Sequence, residues 1–213
     1  MAGYVIPARY QTIEIRVANS RFIAAIKPAF NVAQARNFLS EIRSTYPDAS
    51  HHVPAYVIGH GSSVISHTSD DGEPPGTAGR PALSVLHGSG LGDAALVITR
   101  YFGGTKLGTG GLVKAYSAAA RKVISAAPKA KRVPVHSGKL VMPYNLYEQM
   151  HRLISSHQGL ITDEEFTDQV TLTVSVPSDR LAQFKNQLQE LSSGSIAMKI
   201  KEGERLAIIP LAS

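Results

Sequence analysis

The sequence predicts a mixed α+β protein of two domains, on three observations. Short runs of alternating apolar and polar residues lie between segments whose apolar residues recur every three or four positions. From residue 137 onward the segments follow the order β-α-β-β-α-β, the ferredoxin-like pattern. The charge balance also breaks there: residues 1–136 hold 15 Lys and Arg against 7 Asp and Glu, and residues 137–213 hold 7 against 9. The expected domains are therefore 1–136 and 137–213.

In the first domain, "QTIEIRVA" alternates Ile13, Ile15 and Val17, as a strand with one buried face does. "SRFIAAIKP" is a second strand, stopped by Pro28. Asn31 caps a helix that reaches about Thr45 and ends before Pro47. Val32, Ala35, Phe38, Leu39 and Ile42 form its apolar stripe. "AYVIG" and "SSVISHT" are strands around a Gly59–Gly61 turn. After the loop "SDDGEPPGTAGRP", Pro81 suits the first turn of a short helix ending near Gly88. "AALVITRY" is apolar enough for a strand buried on both faces. A glycine-rich stretch follows, then a helix from about Thr109 to Ala127. Leu112, Ala115, Tyr116, Ala119 and Val123 share its packing face, and Lys114, Arg121 and Lys122 share another.

"KAKRVPVHSGK" reads as a connector or the end of a strand. Strands are then expected at 137–142, 159–165, 168–176 and 195–203, with helices at 144–157 and 178–192. Asn145 stands near the first helix start, Gly159 follows its end, Ser178 is placed to cap the second helix and Gly194 to close it.

Of the 213 residues, 43% are hydrophobic and 18% charged, as in ordinary globular chains. No apolar run is long enough to span a bilayer, so no membrane partner is expected. "MAGYVIPARYQ" lacks the charged start and apolar run of a signal peptide. The absence of cysteine excludes disulfides, zinc–cysteine sites and thiol nucleophiles. A cytoplasmic location is the expectation. The net charge of +6, concentrated in the first domain, favours anionic partners.

"RYFGGTKLGTGG", residues 100–111, lies between the buried strand and a helix N-terminus. The first amides of a helix are unpaired and carry the positive end of its dipole, so phosphates and carboxylates bind there. Arg100, Tyr101, Gly103, Gly104, Lys106, Gly108, Thr109, Gly110, Gly111 and Lys114 form the candidate anion- or nucleic-acid-binding surface. Tyr101 and Phe102 are placed to stack on bases, and of the two Tyr101 is expected outward. The alternative is a tight strand-to-helix turn whose glycines only let backbones pack. The stretch is not a Walker A loop, because Lys106 is followed by Leu107 and Gly108, and it carries no dinucleotide-binding fingerprint.

The second dense loop holds Asp71, Gly72, Glu73, Pro74, Gly76, Thr77 and Gly79. Asp70, Asp71 and Glu73 could bind Mg²⁺ or act as paired acid and base, with Asp71 and Glu73 the candidates for acid–base chemistry. The simpler reading is a rigid loop whose carboxylates cap amides or pair with Arg80. The two loops are expected in one cleft. The histidines suggest no metal: His51 and His52 would point to opposite strand faces, and His151 and His157 are spaced wrongly for a helical pair. No metal, no cofactor and no serine-hydrolase elbow is expected.

Together, "SDDGEPPGTAGRPALSVL" and "VITRYFGGTKLGTGGLVKAYSAAA" resemble the signature of the IMPACT family, whose bacterial members are called YigZ-like. The matching residues are Asp71, Gly72, Glu73, Pro74, Gly76, Thr77, Gly79 and Pro81, then Arg100 to Gly104, Lys106 to Gly108, Gly110, Gly111 and Tyr116. "NSRFIAAIKP", "ARNFLSEIR", "DASHH" and "AYVIG" agree in type and order, so the resemblance spans about residues 10–127. Residues 137–213 resemble the smaller ferredoxin-like domain of bacterial members. The chain departs at "SHHVPAY", where many relatives place a cysteine and an aromatic and Val53 and Pro54 stand here.

The resemblance implies a two-layer α/β first domain similar to domain IV of elongation factor G. It also implies a link to translation, since eukaryotic members restrain a translation-initiation kinase by competing for its activator. RNA or the ribosome, or a protein of the translation machinery, is the partner it implies. Three classes stay open: a nucleic-acid- or ribosome-associated binding protein, an enzyme acting on a small phosphorylated or carboxylated ligand, and a protein-binding regulator. The loop chemistry and charge favour binding over catalysis.

Overall fold

A computed structural model describes residues 3–61, 63–201 and 203–211. It divides into two units. The first is Tyr4–Lys131 with Pro210 and Leu211, and the second is Arg132–Ile209 with Gly3. The boundary expected near residue 136 falls inside a long strand, Lys129–Met142.

The first unit opens with β1 (Tyr4–Pro7), after which the Ala8 amide donates to the Pro128 carbonyl at 2.7 Å. Its main sheet is built from β2 (Gln11–Val17), β3 (Ser20–Pro28), β4 (His51–His60), β5 (Ser63–Thr68) and β6 (Ala94–Tyr101). The order across the sheet is β2-β3-β6-β4-β5, with every pair antiparallel. β4 is longer than "AYVIG" suggests, because His51, His52 and Val53 continue the ladder opposite Arg100, Thr99 and Ile98. β6 is central and buried on both faces, as its composition demands.

Three helices cover that sheet: α1 (Val32–Thr45), α2 (Gly79–Gly88) and α3 (Gly108–Ala126). Phe22, Val53, Leu96 and Ile98 pack on one face with Leu86 of α2 and Leu112, Tyr116 and Val123 of α3. Ala25, Tyr56, Ala95 and Val97 pack on the other with Ala35, Phe38 and Ile42 of α1. The mixed α/β organisation expected from the sequence is present, with helical cover on both faces of the sheet. The physical reason is the alternation within β6, where even and odd positions are both apolar and each set needs a cover. Tyr116 meets Phe22 edge-on at 5.2 Å and 89°, a geometry worth about 0.5–1.5 kcal/mol beyond burial.

α1 begins where its sequence says. The Asn31 side chain accepts from the Gln34 amide at 2.8 Å, and the Gln34 side chain accepts from the Phe30 amide at 2.7 Å.

In the second unit, β7 (Lys129–Met142) pairs with β9 (Val170–Pro177), and β9 pairs with β8 (Leu160–Phe166) at the sheet edge. α4 (Tyr147–Ser156), entered through a single 3₁₀ turn at Tyr144–Leu146, and α5 (Leu181–Leu191) supply the helical cover. Leu140, Met142, Leu172 and Val174 face Met150, Ile154, Phe184 and Leu188. The strand expected at 195–203 shrinks to β10 (Lys199–Ile200), because Ile196 and Met198 turn into the core instead of pairing. A further strand, β11 (Arg205–Pro210), pairs with β7. Two expected caps differ: α4 has Leu146 and α5 has Arg180 at the N-cap, both without a side-chain bond, so neither Asn145 nor Ser178 caps. Gly194 closes α5 as expected, at φ +80° with its amide on the Gln189 carbonyl at 2.8 Å.

Candidate nucleic-acid interface

The carboxylate loop is built from the inside. Asp70 accepts from the amides of Gly76, Ala78 and Gly79 at 2.8, 3.0 and 2.8 Å, which caps α2 from eight residues upstream of its N-cap. Burial alone would raise the Asp70 pKa, but these three N–H groups outweigh burial and hold the carboxyl below its ordinary value. Asp71 adopts φ +48° and spends both oxygens on the protein. One accepts from Arg43 of α1 and the other from the His52 amide, each at 2.6 Å. Its carbonyl accepts from the His51 ring at 2.8 Å. Gly79 has room for no side chain, since a methyl there would meet the Ser69 carbonyl oxygen at 2.8 Å.

Glu73 goes further inward and is 7% exposed. Its Oε1 accepts from Arg100 and from the Tyr116 hydroxyl, both at 2.7 Å. Burial and the Glu73 carboxylate push the Tyr116 phenol far above its ordinary pKa, so it stays a donor. Arg100 also donates to Ser20 Oγ at 3.1 Å, while its Nε–H is left without a partner. The cations that pair directly with this loop are thus Arg43 and Arg100 rather than Arg80. Arg100 is 4% exposed and neutralised, so it is no free cation for an anion; the expectation for it is corrected to that extent. Asp71 and Glu73 sit in fixed structural pairs, which leaves Asp71 no spare oxygen for proton transfer.

The glycine stretch meets this loop. Glu73, Pro74, Arg100, Phe102, Lys106, Leu107, Gly108, Thr109 and Leu112 line one cleft of about 340 Å³. Lys106, Gly108, Thr109 and Gly110 are exposed, and α3 starts at Gly108 with no side-chain cap. Gly104 and Gly108 take φ of +81° and +70°, which only glycine adopts without strain. Gly103 serves packing instead: a methyl there would stand 1.9 Å from the Asn19 carbonyl oxygen. Lys114 is exposed further along α3 and, with Tyr101, does not line the cleft.

Tyr101 lies on the opposite face of β6 from Arg100. Its hydroxyl donates to Asp48 at 2.8 Å, and Arg21 covers its ring at 5.1 Å. The aromatic that faces the cleft is Phe102, 49% exposed and 5.5 Å from the Arg100 guanidinium. Chemically the cleft offers a flat apolar wall, a neutralised floor, the exposed ammonium group of Lys106 and a helix start without a side-chain cap. It suits a ligand that carries an aromatic ring and an anion together.

The model of the Impact N-terminal domain matches residues 18–124, which enclose both loops and the cleft. The chain belongs to the IMPACT family. A second model, a domain of unknown function (DUF1949), matches residues 140–195. Among relatives, the IMPACT family member YigZ of Escherichia coli K12 is 35% identical over 199 residues, covering 93% of this chain and 98% of that protein. The IMPACT family member YvyE of Bacillus subtilis 168 is 32% identical over 191 residues, covering 90% and 87%. The crystal structure of a hypothetical protein is similar at a TM-score of 0.63 and 35% identity, covering 95% of this chain and 98% of that one.

In this IMPACT member, sequence reasoning chose Tyr101 over Phe102 as the outward aromatic, and missed Leu112 as a cleft wall and Ser20 as the bridge under the glycine loop. Ser20 Oγ accepts from both Arg100 and the Gly103 amide, at 3.1 and 3.3 Å. The one available signal was parity. Arg100 and Phe102 are two apart on a strand, so a buried Arg100 places Phe102 on its own side of the sheet. Among the described residues no helix is long and apolar enough to cross a membrane, and no group of His, Asp and Glu is placed to hold a metal ion.

Proposed function

We propose that this protein binds single-stranded nucleic acid, RNA of the translation machinery in particular, through the cleft between its two signature loops. The observation that carries the reading is the placement of exposed Phe102 beside exposed Lys106 and the uncapped α3 start. A base stacks on Phe102, while Lys106, Thr109 and the first amides of α3 receive the phosphate. The Arg100–Glu73 pair forms the floor and carries no net charge to be neutralised. The basic excess of the first 136 residues steers the polyanion toward this unit. The family resemblance to translation-factor domains points to the same partner class.

The test is filter binding of single-stranded RNA across a salt series. Wild-type affinity falls with salt, and Lys106→Ala reduces the slope of log K against log salt by about 1. Phe102→Ala weakens binding by about 1–3 kcal/mol, the range for one stacked base. No binding at low salt, or two variants that bind as wild type, removes the proposal.

A further inference from the structure

The second unit holds a cavity of about 520 Å³ whose lining includes Lys139, Gln169, Ser195 and Lys199. Lys199 of β10 stands directly opposite Lys139 of β7 in the antiparallel register. Partners in such a pair project from the same face, and like charges placed so repel each other. On its other side Lys139 faces Thr173, which is neutral. Among the described residues no Asp or Glu lines the cavity and neither lysine has an ion-pair partner. The Lys201 amide donates to the Ser137 carbonyl at 3.0 Å, which carries a third lysine alongside β7. Arg205 binds Ser137 Oγ at 2.8 Å and Ser175 Oγ at 3.1 Å, farther along the same two strands. Residues 137–213 have an acidic excess, yet four of their seven Lys and Arg gather here.

Two cations placed opposite each other in a sheet, with no acid among the described residues between them, repel and cost folding stability. We infer that the Lys139–Lys199 cavity is a binding site for a multiply charged oxyanion of the phosphate class. The anion sits between the two ammonium groups, and Gln169 and Ser195 supply neutral hydrogen bonds from the rim. Its volume falls within the usual range for small-ligand sites, about 300–1,000 Å³. The site is separate from the cleft of the first unit and does not depend on that reading.

The experiment follows the backbone amides of the full ¹⁵N-labelled chain at low ionic strength as inorganic phosphate, then pyrophosphate, is added. Potassium chloride at matched ionic strength is the control. Saturable shifts of Lys139, Gln169, Ser195 and Lys199 are expected, tighter for pyrophosphate and unchanged in Lys106→Ala. The Lys139→Gln/Lys199→Gln variant loses at least tenfold in apparent affinity. Amides that do not move with phosphate or RNA, that move equally with chloride, or that move unaltered in the double variant overturn the inference. A second arm adds single-stranded RNA to a Phe102→Ala/Lys106→Ala background. Shifts at the same residues there assign the phosphate to a nucleic-acid backbone, and shifts with the free anions alone assign it to a small ligand; both support the site. A third readout needs no ligand. Lys199→Gln alone raises the thermal midpoint at low salt by relieving the repulsion, and a lowered midpoint contradicts the premise.

Discussion

Arg100 donates a 2.7 Å hydrogen bond to Glu73 across 27 residues of sequence, and both side chains are almost fully buried. This pair couples the end of the central strand to the carboxylate loop. Taking one partner away leaves an uncompensated charge in the core, which costs far more than the pair itself contributes. Glu73→Ala or Arg100→Ala should therefore destabilise the first unit by about 3–5 kcal/mol. A Glu73→Leu/Arg100→Met double variant should cost much less than the two single changes together. Urea unfolding followed by circular dichroism measures all three, and simple additivity would show that the two residues are not energetically coupled.

Tyr116 donates to the same carboxylate oxygen from α3. Tyr116→Phe removes that bond and keeps the ring against Phe22, so the loss isolates one hydrogen bond to a charged acceptor. The expected cost is about 1.5–3 kcal/mol in the same unfolding experiment. A loss near zero would mean that Arg100 alone satisfies Glu73.

Acid should unfold this protein in two stages. Burial lowers the His52 pKa more than the Tyr46 carbonyl and Asp71 raise it, so the ring stays neutral below its ordinary 6.5. Asp70 is held below its ordinary 3.8 by the three amides it caps, against burial. In both cases the unfolded chain takes up the proton first as pH falls. Stability is then complete above the unfolded value and is lost between it and the lower folded value. Urea midpoints measured from pH 8 to pH 3 should fall first below about 6.5 and again below about 3.8. His52→Gln should flatten the upper stage and Asp70→Asn the lower, while Asp70→Asn also weakens the start of α2. An upper stage that persists in His52→Gln would assign it to another group.

The elements legible in the sequence are those whose signals are local. Asn31, the 3.6-residue stripe of α1 and the unbroken apolar run of β6 each decide their own structure within a dozen residues. The candidate site was legible as two loops and illegible as chemistry, because the partner choices are long-range. Nothing near Arg100 says that Glu73 neutralises it, and nothing near Asp71 names Arg43. Proximity in sequence instead offered Arg80. The aromatics were misplaced for the same reason: Tyr101 and Phe102 look alike until the buried Arg100 fixes which side of β6 faces the cleft. The second unit failed at its last strand, where Ile196 and Met198 satisfy the strand pattern but are claimed by the core, and the pairing resumes only at Arg205.

Two glycines of the signature stretch separate turn-making from ligand contact. A methyl group on Gly103 would collide with the Asn19 backbone, so Gly103→Ala should displace the loop and destabilise by about 1–3 kcal/mol, the usual range for overpacking. Gly110 lies in the first turn of α3, and a methyl there meets no heavy atom within 4 Å beyond its chain neighbours and the helix's own backbone. Gly110→Ala should therefore stabilise the protein by about 0.5–1 kcal/mol, because glycine surrenders more backbone freedom than alanine in a helix. If the α3 amides receive phosphate, the same methyl group crowds the approach of the strand, and RNA affinity should fall although the fold is firmer. Thermal unfolding and filter binding on this one variant give opposite signs under that reading. A Gly110→Ala protein that is more stable and binds RNA as well as wild type would reduce the glycine to a turn-maker and move the phosphate contact to Lys106 alone.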